Sequence, residues 1–363
     1  MSASPAIALD DAIAVWCERH YGLRDVQVQR ELTGGMFARP LLLSSERGAF
    51  VYRTHRFRPT EQSFRFQADV VATAAHLGMA SPILLTSGGN HCVVDPNGEG
   101  VIALHAYAEG WQYDWEAWRE MLDASPDFVA SLGAAVATMH NALATSQPAG
   151  NATLPCDLPP VQLAQLDRVR AAWDRDIERL ASLPELECET ARNTLLAQRD
   201  LLADCWDKLT EWSAEVPHLA RQPVHGDISP VNLVWSDGTG PVFIDWDATH
   251  LGHRLYDALG DVLHRAPATL PETNRLRLDH LHGYLNGYAA ATARQLSPAE
   301  LAMIPAFTLA RQLEDLRQRV AVLPTLPVAS DAQYARLIEM RSDMLCQILA
   351  TTDEAWRAAH PNS

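Results

Sequence analysis

The stretch His225-Gly226-Asp227-Ile228-Ser229-Pro230-Val231-Asn232 sets a histidine, an aspartate and an asparagine close together. Phe243-Ile244-Asp245-Trp246-Asp247 then supplies a carboxylate at the end of an apolar run. Between the two, Leu233-Val234-Trp235 suits a strand, residues 236–240 carry turn chemistry, and residues 241–244 lead back. An antiparallel hairpin sets the start of its first strand beside the end of its second. Asn232 and Asp245 therefore meet, with Asp227 on the loop just before them. Magnesium is a hard cation that takes few oxygens from protein and completes its shell with phosphate oxygens and water. Asn232 offers an amide oxygen and Asp245 a carboxylate. Asp227 is left to orient an attacking hydroxyl and accept its proton. Asp247 is either a further ligand or a turn-capping carboxylate. Asp and Asn are common in turns, so the case rests on the joint pattern and not on any one residue.

The first stretch has the H-x-D-x-x-x-x-N spacing of a kinase catalytic loop, and Asp245 stands where a kinase keeps its metal-binding aspartate. The segment resembles the aminoglycoside phosphotransferase and choline kinase-like family of small-molecule kinases. That family shares the protein-kinase fold but prefers His-Gly-Asp to His-Arg-Asp. Trp246-Asp247 after Asp245, in place of Phe-Gly, is also similar to it. Gly252-His253-Arg254-Leu255-Tyr256-Asp257-Ala258-Leu259-Gly260-Asp261 resembles the family's "GP..YDLA" element. The resemblance implies that Asp257 supports the catalytic loop from a helix. It is strong over residues 221–262 and only patterned elsewhere.

The elements that must position these groups can be read outward. Residues 9–21 have helical apolar spacing, and residues 26–32 alternate as a half-buried strand. Thr33-Gly34-Gly35-Met36 is a turn. Residues 40–44 and 49–53 read as the next two strands. This layout resembles the sheet lobe of the family. The resemblance implies that Gly34 and Gly35 cover nucleotide phosphates, since glycine lets a backbone approach closely; a plain hairpin tip explains them equally well. Phe50-Val51-Tyr52-Arg53 is similar to the family's strand whose base meets the phosphates, which assigns Arg53 that role. Arg56 and Arg58 compete with it, but Arg53 ends the apolar strand in register. A helix is expected from Thr60 to Leu77. Alignment by apolar pattern sets Gln67 or Asp69 near the family's glutamate, so the partner of Arg53 stays open. His105-Ala106-Tyr107-Ala108-Glu109-Gly110 resembles the hinge, which implies that the backbone of Ala106 and Tyr107 meets the base.

From Trp111 onward the chain reads as mainly helical. His140, on an apolar helix, reads as a hydrogen-bonded core or interface residue, with a catalytic role as the competing reading. Amphipathic segments over about 161–183 and 186–214 precede the catalytic loop, and helices at about 274–294, 298–321 and 331–359 follow it.

The chain has 363 residues, 47% hydrophobic and 20% charged, long enough for two lobes with large cores. No apolar run is long enough for a membrane span, and the N-terminus lacks the basic region of a secretory signal. The six cysteines are scattered without C-x-x-C spacing, which indicates neither a zinc site nor a disulfide framework. Reduced thiols and a cytoplasmic location are the simplest reading. A net charge of −16 argues against a nucleic-acid partner or an anionic membrane surface.

The expected fold is α+β, two-lobed and protein-kinase-like. Residues 1–105 would form a small sheet lobe, 106–110 the hinge, and 111–363 a helical lobe with an insert over about 160–215. The implied reaction transfers the γ-phosphoryl group of ATP, or GTP, with Mg2+, to a hydroxyl of a small molecule. Amino alcohols, aminoglycosides and sugars are the favoured acceptors. Asp114, Glu116, Glu314 and Asp315 are candidate carboxylates for an amine. The competing reading of Glu314 and Asp315 is helix-face pairing with Arg311, Arg317 or Arg319. A protein Ser/Thr kinase of the same fold, or a nucleotide-binding regulatory protein without catalysis, are the alternatives.

Overall fold

A computed structural model describes residues 5–32, 40–56, 60–95, 98, 100–150, 163–183, 187–214, 216–237, 240–259, 275–325 and 327–361. Helix α1 (Pro5–Tyr21) precedes the strands β1 (Gln27–Glu31), β2 (Leu41–Ser45) and β3 (Gly48–His55). Helix α2 (Glu61–His76) follows, then β4 (Val93–Val94) and β5 (Val101–Ala106). The five strands form one antiparallel sheet in the order β1-β2-β3-β5-β4. Side chains alternate across it. Val101 and Ala103 pack with Phe64 and Ala68 of α2, whereas Leu104 packs with Ile13, Cys17 and Tyr21 of α1. Each helix thus covers one face of the sheet. Phe64 is fully buried, and burying such a ring contributes about 1.5–3 kcal/mol. The alternation expected for residues 26–32 is weaker in fact, because β1 is an edge strand and mostly exposed.

Helix α2 starts where Thr60 caps it. The Thr60 hydroxyl accepts from the Ser63 N–H at 3.1 Å, and Ser63 Oγ accepts in return from the Thr60 N–H. A second face of α2, with Phe66, Val70, Val71 and Ala74, joins the main core. Gln67 lies on a buried face as well, which matters at the site.

The helical region opens with α3 (Trp115–Ala124), capped by Asp114, and α4 (Pro126–Ala144), capped by Ser125 with Pro126 in its first turn. Next come α5 (Leu166–Ser182), α6 (Glu189–Ala197) and α7 (Arg199–Trp212). The segment read as one helix over 186–214 is thus two, meeting at Gln198. Strands β6 (Gln222–Val224), β7 (Leu233–Val234), β8 (Val242–Phe243) and β9 (His250–Gly252) frame the loops of interest, and α8 (Arg254–Ala258) follows. Beyond the next described residues lie α9 (Leu278–Ala291), α10 (Pro298–Ala302), α11 (Ile304–Val322), α12 (Asp331–Ala350) and α13 (Asp353–Ala358). The helix expected at 298–321 breaks at Met303, just before Pro305, which has no N–H to continue the ladder. The one expected at 331–359 breaks at Thr351, and Thr352 caps the new start.

The molecule is therefore a two-lobed α+β fold, with a small antiparallel sheet beside a mainly helical region. Among the described residues no two cysteines form a disulfide. Among the described residues no helix is long and apolar enough to cross a membrane.

Candidate active site

The loop from His225 to Asn232 hangs between β6 and β7. Strand β6 pairs with β9, and β7 pairs with β8 in the register Leu233↔Phe243. His225 is fully buried. Its Nδ1 lies 3.2 Å from the Asp227 N–H and its Nε2 lies 2.9 Å from the Ile244 carbonyl. A carbonyl only accepts, so Nε2 carries the hydrogen and Nδ1 accepts from Asp227. His225 thereby ties the loop to the turn at Asp245. Gly226 has φ +88°, and a Cβ there would lie 2.2 Å from the Ala248 carbonyl oxygen. No other residue fits the sharp step from His225 to Asp227.

Asp257 of α8 holds the same loop from behind. It accepts from the backbone N–H groups of His225 at 2.9 Å and Gly226 at 2.7 Å. His140 Nε2 donates to it at 3.0 Å, and His140 Nδ1 meets the Tyr288 hydroxyl at 2.8 Å. Burial alone would raise the Asp257 carboxyl. The His140 hydrogen bond, the nearby His140 and His225 rings, and the Gly226 N–H outweigh it and lower the value to about 2. His140 is thus a hydrogen-bonded core residue, and Asp257 is a support.

Asn232 and Asp245 stand side by side, joined by the Ile244 N–H to the Asn232 carbonyl at 2.9 Å. The Asn232 side-chain N–H2 donates to Asp227 twice, to its backbone oxygen and to Oδ2, each at 2.9 Å. That leaves the Asn232 amide oxygen as the group to offer a cation. Asp245 adopts a left-handed backbone, φ +59° and ψ +64°, which ends β8 abruptly. Such a conformation costs a non-glycine residue about 1–3 kcal/mol. The turn directs its carboxylate toward β3. Among the described residues no group of three or more His, Cys, Asp or Glu forms a metal site. One amide oxygen and one carboxylate suit a magnesium ion that shares its shell with phosphate and water.

Arg53 of β3 donates from Nη2 to Asp245 Oδ1 at 2.8 Å and to Asp247 Oδ2 at 2.9 Å. Burial opposes the Arg53 charge, but these two carboxylates more than offset it and hold its pKa above the ordinary value. Asp247 is buried and also accepts from His55 Nδ1 at 2.7 Å and Gln67 Nε2 at 3.1 Å. His55 Nε2 lies 3.0 Å from His105 Nε2. Burial first, then the charges of His55 and Arg53, push His105 well down. A carboxylate only accepts, so His55 Nδ1 gives its hydrogen to Asp247. Burial works against the Asp247 charge too, but Arg53 and His55 pull its pKa far below the carboxylate range.

Neither residue weighed as the helix partner of Arg53 pairs with it. Gln67 reaches Asp247, and Asp69 Oδ2 instead accepts from the Ala149 N–H at 2.8 Å. Sequence reasoning misses His55 and His105. A signal exists for His55, two residues from Arg53 on one strand and hence on the same face.

Gly34 and Gly35 lie outside the described residues. The Ala106 and Tyr107 N–H groups donate to the Pro82 and Ala49 carbonyls, at 2.9 and 3.0 Å. After them, Trp111 and Trp235 exchange backbone hydrogen bonds at 2.9 and 2.8 Å, pinning the chain after β5 to the hairpin. Asp114 is spent on its helix cap, accepting from the Ala117 N–H at 2.8 Å. Glu116 is exposed. Glu314 accepts from the Tyr256 hydroxyl at 2.5 Å and pairs with Arg311 at 3.5 Å. Asp315 pairs with Arg319 at 3.0 Å and with Arg341 at 2.8 Å. The helical pairing reading holds for both acids, except that they are buried rather than solvated.

The profile of the phosphotransferase enzyme family matches residues 28–294. No curated protein matches. Among solved structures, the fold is similar to a spectinomycin phosphotransferase in complex with ADP and spectinomycin: TM-score 0.62, 10% identity, covering 93% of this chain and 98% of that one. An amicoumacin kinase in complex with AMP-PNP, Ca2+ and Ami gives TM-score 0.58 and 16% identity over 94% of each chain. An ethanolamine kinase of Plasmodium vivax gives TM-score 0.59 and 12% identity over 92% of this chain and 84% of that one. Likeness at such identities is likeness of fold. The profile match spans most of the sequence, and with it the segments around Asp227 and Asp245: this chain belongs to the phosphotransferase enzyme family.

Proposed function

We propose that the protein transfers the γ-phosphoryl group of ATP to a hydroxyl of a small molecule, with the nucleotide between the sheet and the helical region. The observation that carries this reading is the Arg53–Asp245 contact at 2.8 Å, between a strand of the sheet and a turn 192 residues later. It brings a phosphate-binding cation beside a metal-binding carboxylate. Asp227 orients the acceptor hydroxyl and takes its proton, while Asn232 fixes the Asp227 carboxylate with one hydrogen bond. When bound, Mg2+ neutralises the transferring phosphoryl group, and the Asn232 amide oxygen and Asp245 carboxylate would hold it. Arg53 brings fork geometry to the phosphates. The N–H groups of Ala106 and Tyr107 are committed, so a base bonds the hinge through their carbonyls or through residues 108–110. Gly34 and Gly35 cover the phosphates in this reading.

The favoured acceptor is an amino alcohol, aminoglycoside or sugar. The similar structures named for spectinomycin and ethanolamine support that class. Glu314 and Asp315 do not, because their carboxylates are already paired inside the protein. The test is Mg-dependent ATP turnover against an acceptor panel that includes matched pairs, one with an amine and one with a hydroxyl in its place. Acceptor-stimulated ADP release with phosphate recovered on the acceptor is the expected result. Nucleotide binding with no transfer to any hydroxyl would remove the reading. Equal kcat/KM within every matched pair would remove only the amine preference.

A further inference from the structure

In the resemblance drawn from the sequence, the phosphate-binding cation is steadied by a glutamate of the following helix. Here that helix supplies Gln67, an amide, and it does not touch Arg53. Arg53 instead bonds Asp247, two residues beyond the candidate metal ligand. Asp247 is itself fixed by three donors from two elements: Arg53 and His55 of β3, and Gln67 of α2. Its Oδ1 takes two hydrogen bonds and its Oδ2 one. A carboxylate so occupied, and buried, is a poor candidate for a metal ligand. Both Arg53 contacts use Nη2, which leaves the Nη1 side for a phosphate oxygen. The Gln67 Oε1 and Arg53 Nε atoms are buried without hydrogen-bond partners. The cluster thus has an unused acceptor on the helix and an unused donor on the cation.

We propose that Asp247 is the positioning residue for Arg53, taking the place of the helix carboxylate, and that Gln67 acts through Asp247 to link α2 to the nucleotide site. The proposal rests on the reading of Arg53 as a phosphate ligand. It assigns Asp247 to the cation and not to the metal. It also predicts that the carboxylate can be moved from the turn back to the helix.

The experiment measures ADP affinity by calorimetry, with and without Mg2+, together with the thermal midpoint of the nucleotide-free protein. The proteins are the wild type, Asp247→Asn, Gln67→Glu and the double variant. Asp247→Asn should weaken Mg-free ADP binding by about tenfold or more, the scale of one charged hydrogen bond. Gln67→Glu alone should lower the midpoint, because it sets a second carboxylate where Gln67 now lies 3.1 Å from Asp247. The double variant should recover both ADP affinity and midpoint, with the helix carboxylate holding Arg53 and the turn amide bridging the two. Three results would overturn the proposal. One is a loss in Asp247→Asn seen only with Mg2+, which makes Asp247 a metal ligand. Another is a double variant no better than the worse single, which makes the cluster merely structural. The third is a wild type that binds no ADP, which removes the phosphotransferase reading as well. The midpoints report the Arg53 pairing without nucleotide, so that last failure is recognisable as its own.

Discussion

Two buried aspartates, Asp257 and Asp247, support the site, and they do so with different partners. Asp257 takes two backbone N–H groups of the catalytic loop and a histidine. Every one of those donors belongs to the helical region or to the loop itself. Asp247 takes only side chains, from a strand and a helix of the sheet lobe. Asp257 therefore fixes a shape, the step from His225 to Asp227. Asp247 fixes a charge, and it does so across the two parts of the molecule. Backbone donors have no rotamers to choose, so the first support is rigid. A guanidinium and an amide can change partners, so the second can yield when phosphate arrives.

The largest effect that would break this contrast is on stability. Asp257→Ala leaves the His225 and Gly226 N–H groups and the buried His140 without their acceptor, which should cost about 3–5 kcal/mol. Urea unfolding measures it. A loss near that of an exposed substitution would show that the loop holds itself. Next comes Gly226→Ala. Its Cβ would lie 2.2 Å from the Ala248 carbonyl at φ +88°, so strain of about 1–3 kcal/mol is expected. Activity should fall more through kcat than through the nucleotide KM, because the strained step lies directly before Asp227 and six residues from Asn232. A variant with normal kcat would contradict the tight step.

The smallest effect is a pH dependence. The folded Asp257 carboxyl, at about 2, lies below its unfolded value, which is about 3.9. It therefore stabilises the fold above the unfolded value, and that contribution is lost as pH falls toward the folded value. The stability gap between wild type and Asp257→Asn should be constant at pH 5 and above and shrink toward pH 3. A gap that held unchanged at pH 3 would show that Asp257 does not carry its charge into the fold.

The two supports also differ in how far the sequence discloses them. Asp227, Asn232 and Asp245 are legible because a short hairpin with turn residues at its tip sets their meeting locally. Asp257 is legible through a motif that lies close by in the chain. The Asp247 cluster is not, because its contacts join residues 180 to 194 positions apart and depend on how α2 packs against β3. A polar Gln67 on a buried helix face is the available hint. Helix breaks follow the same rule. Pro305 can be read as one, whereas nothing about Gln198 marks the junction of α6 and α7. Glu314 and Asp315 show the limit of charge counting, since their arginine partners lie partly on α12.

The most direct measurement of the central claim compares wild type and Asp227→Asn in two assays on the same preparations: phosphate transfer from ATP to a purified hydroxyl acceptor, and ADP affinity by calorimetry. The substituted amide can still accept the hydrogen bond from Asn232, so the loop should keep its shape. Transfer should fall by about 10²–10⁴-fold, the range for a group that handles the reacting proton, with ADP affinity unchanged. Transfer within a few fold of wild type would contradict the assignment of Asp227.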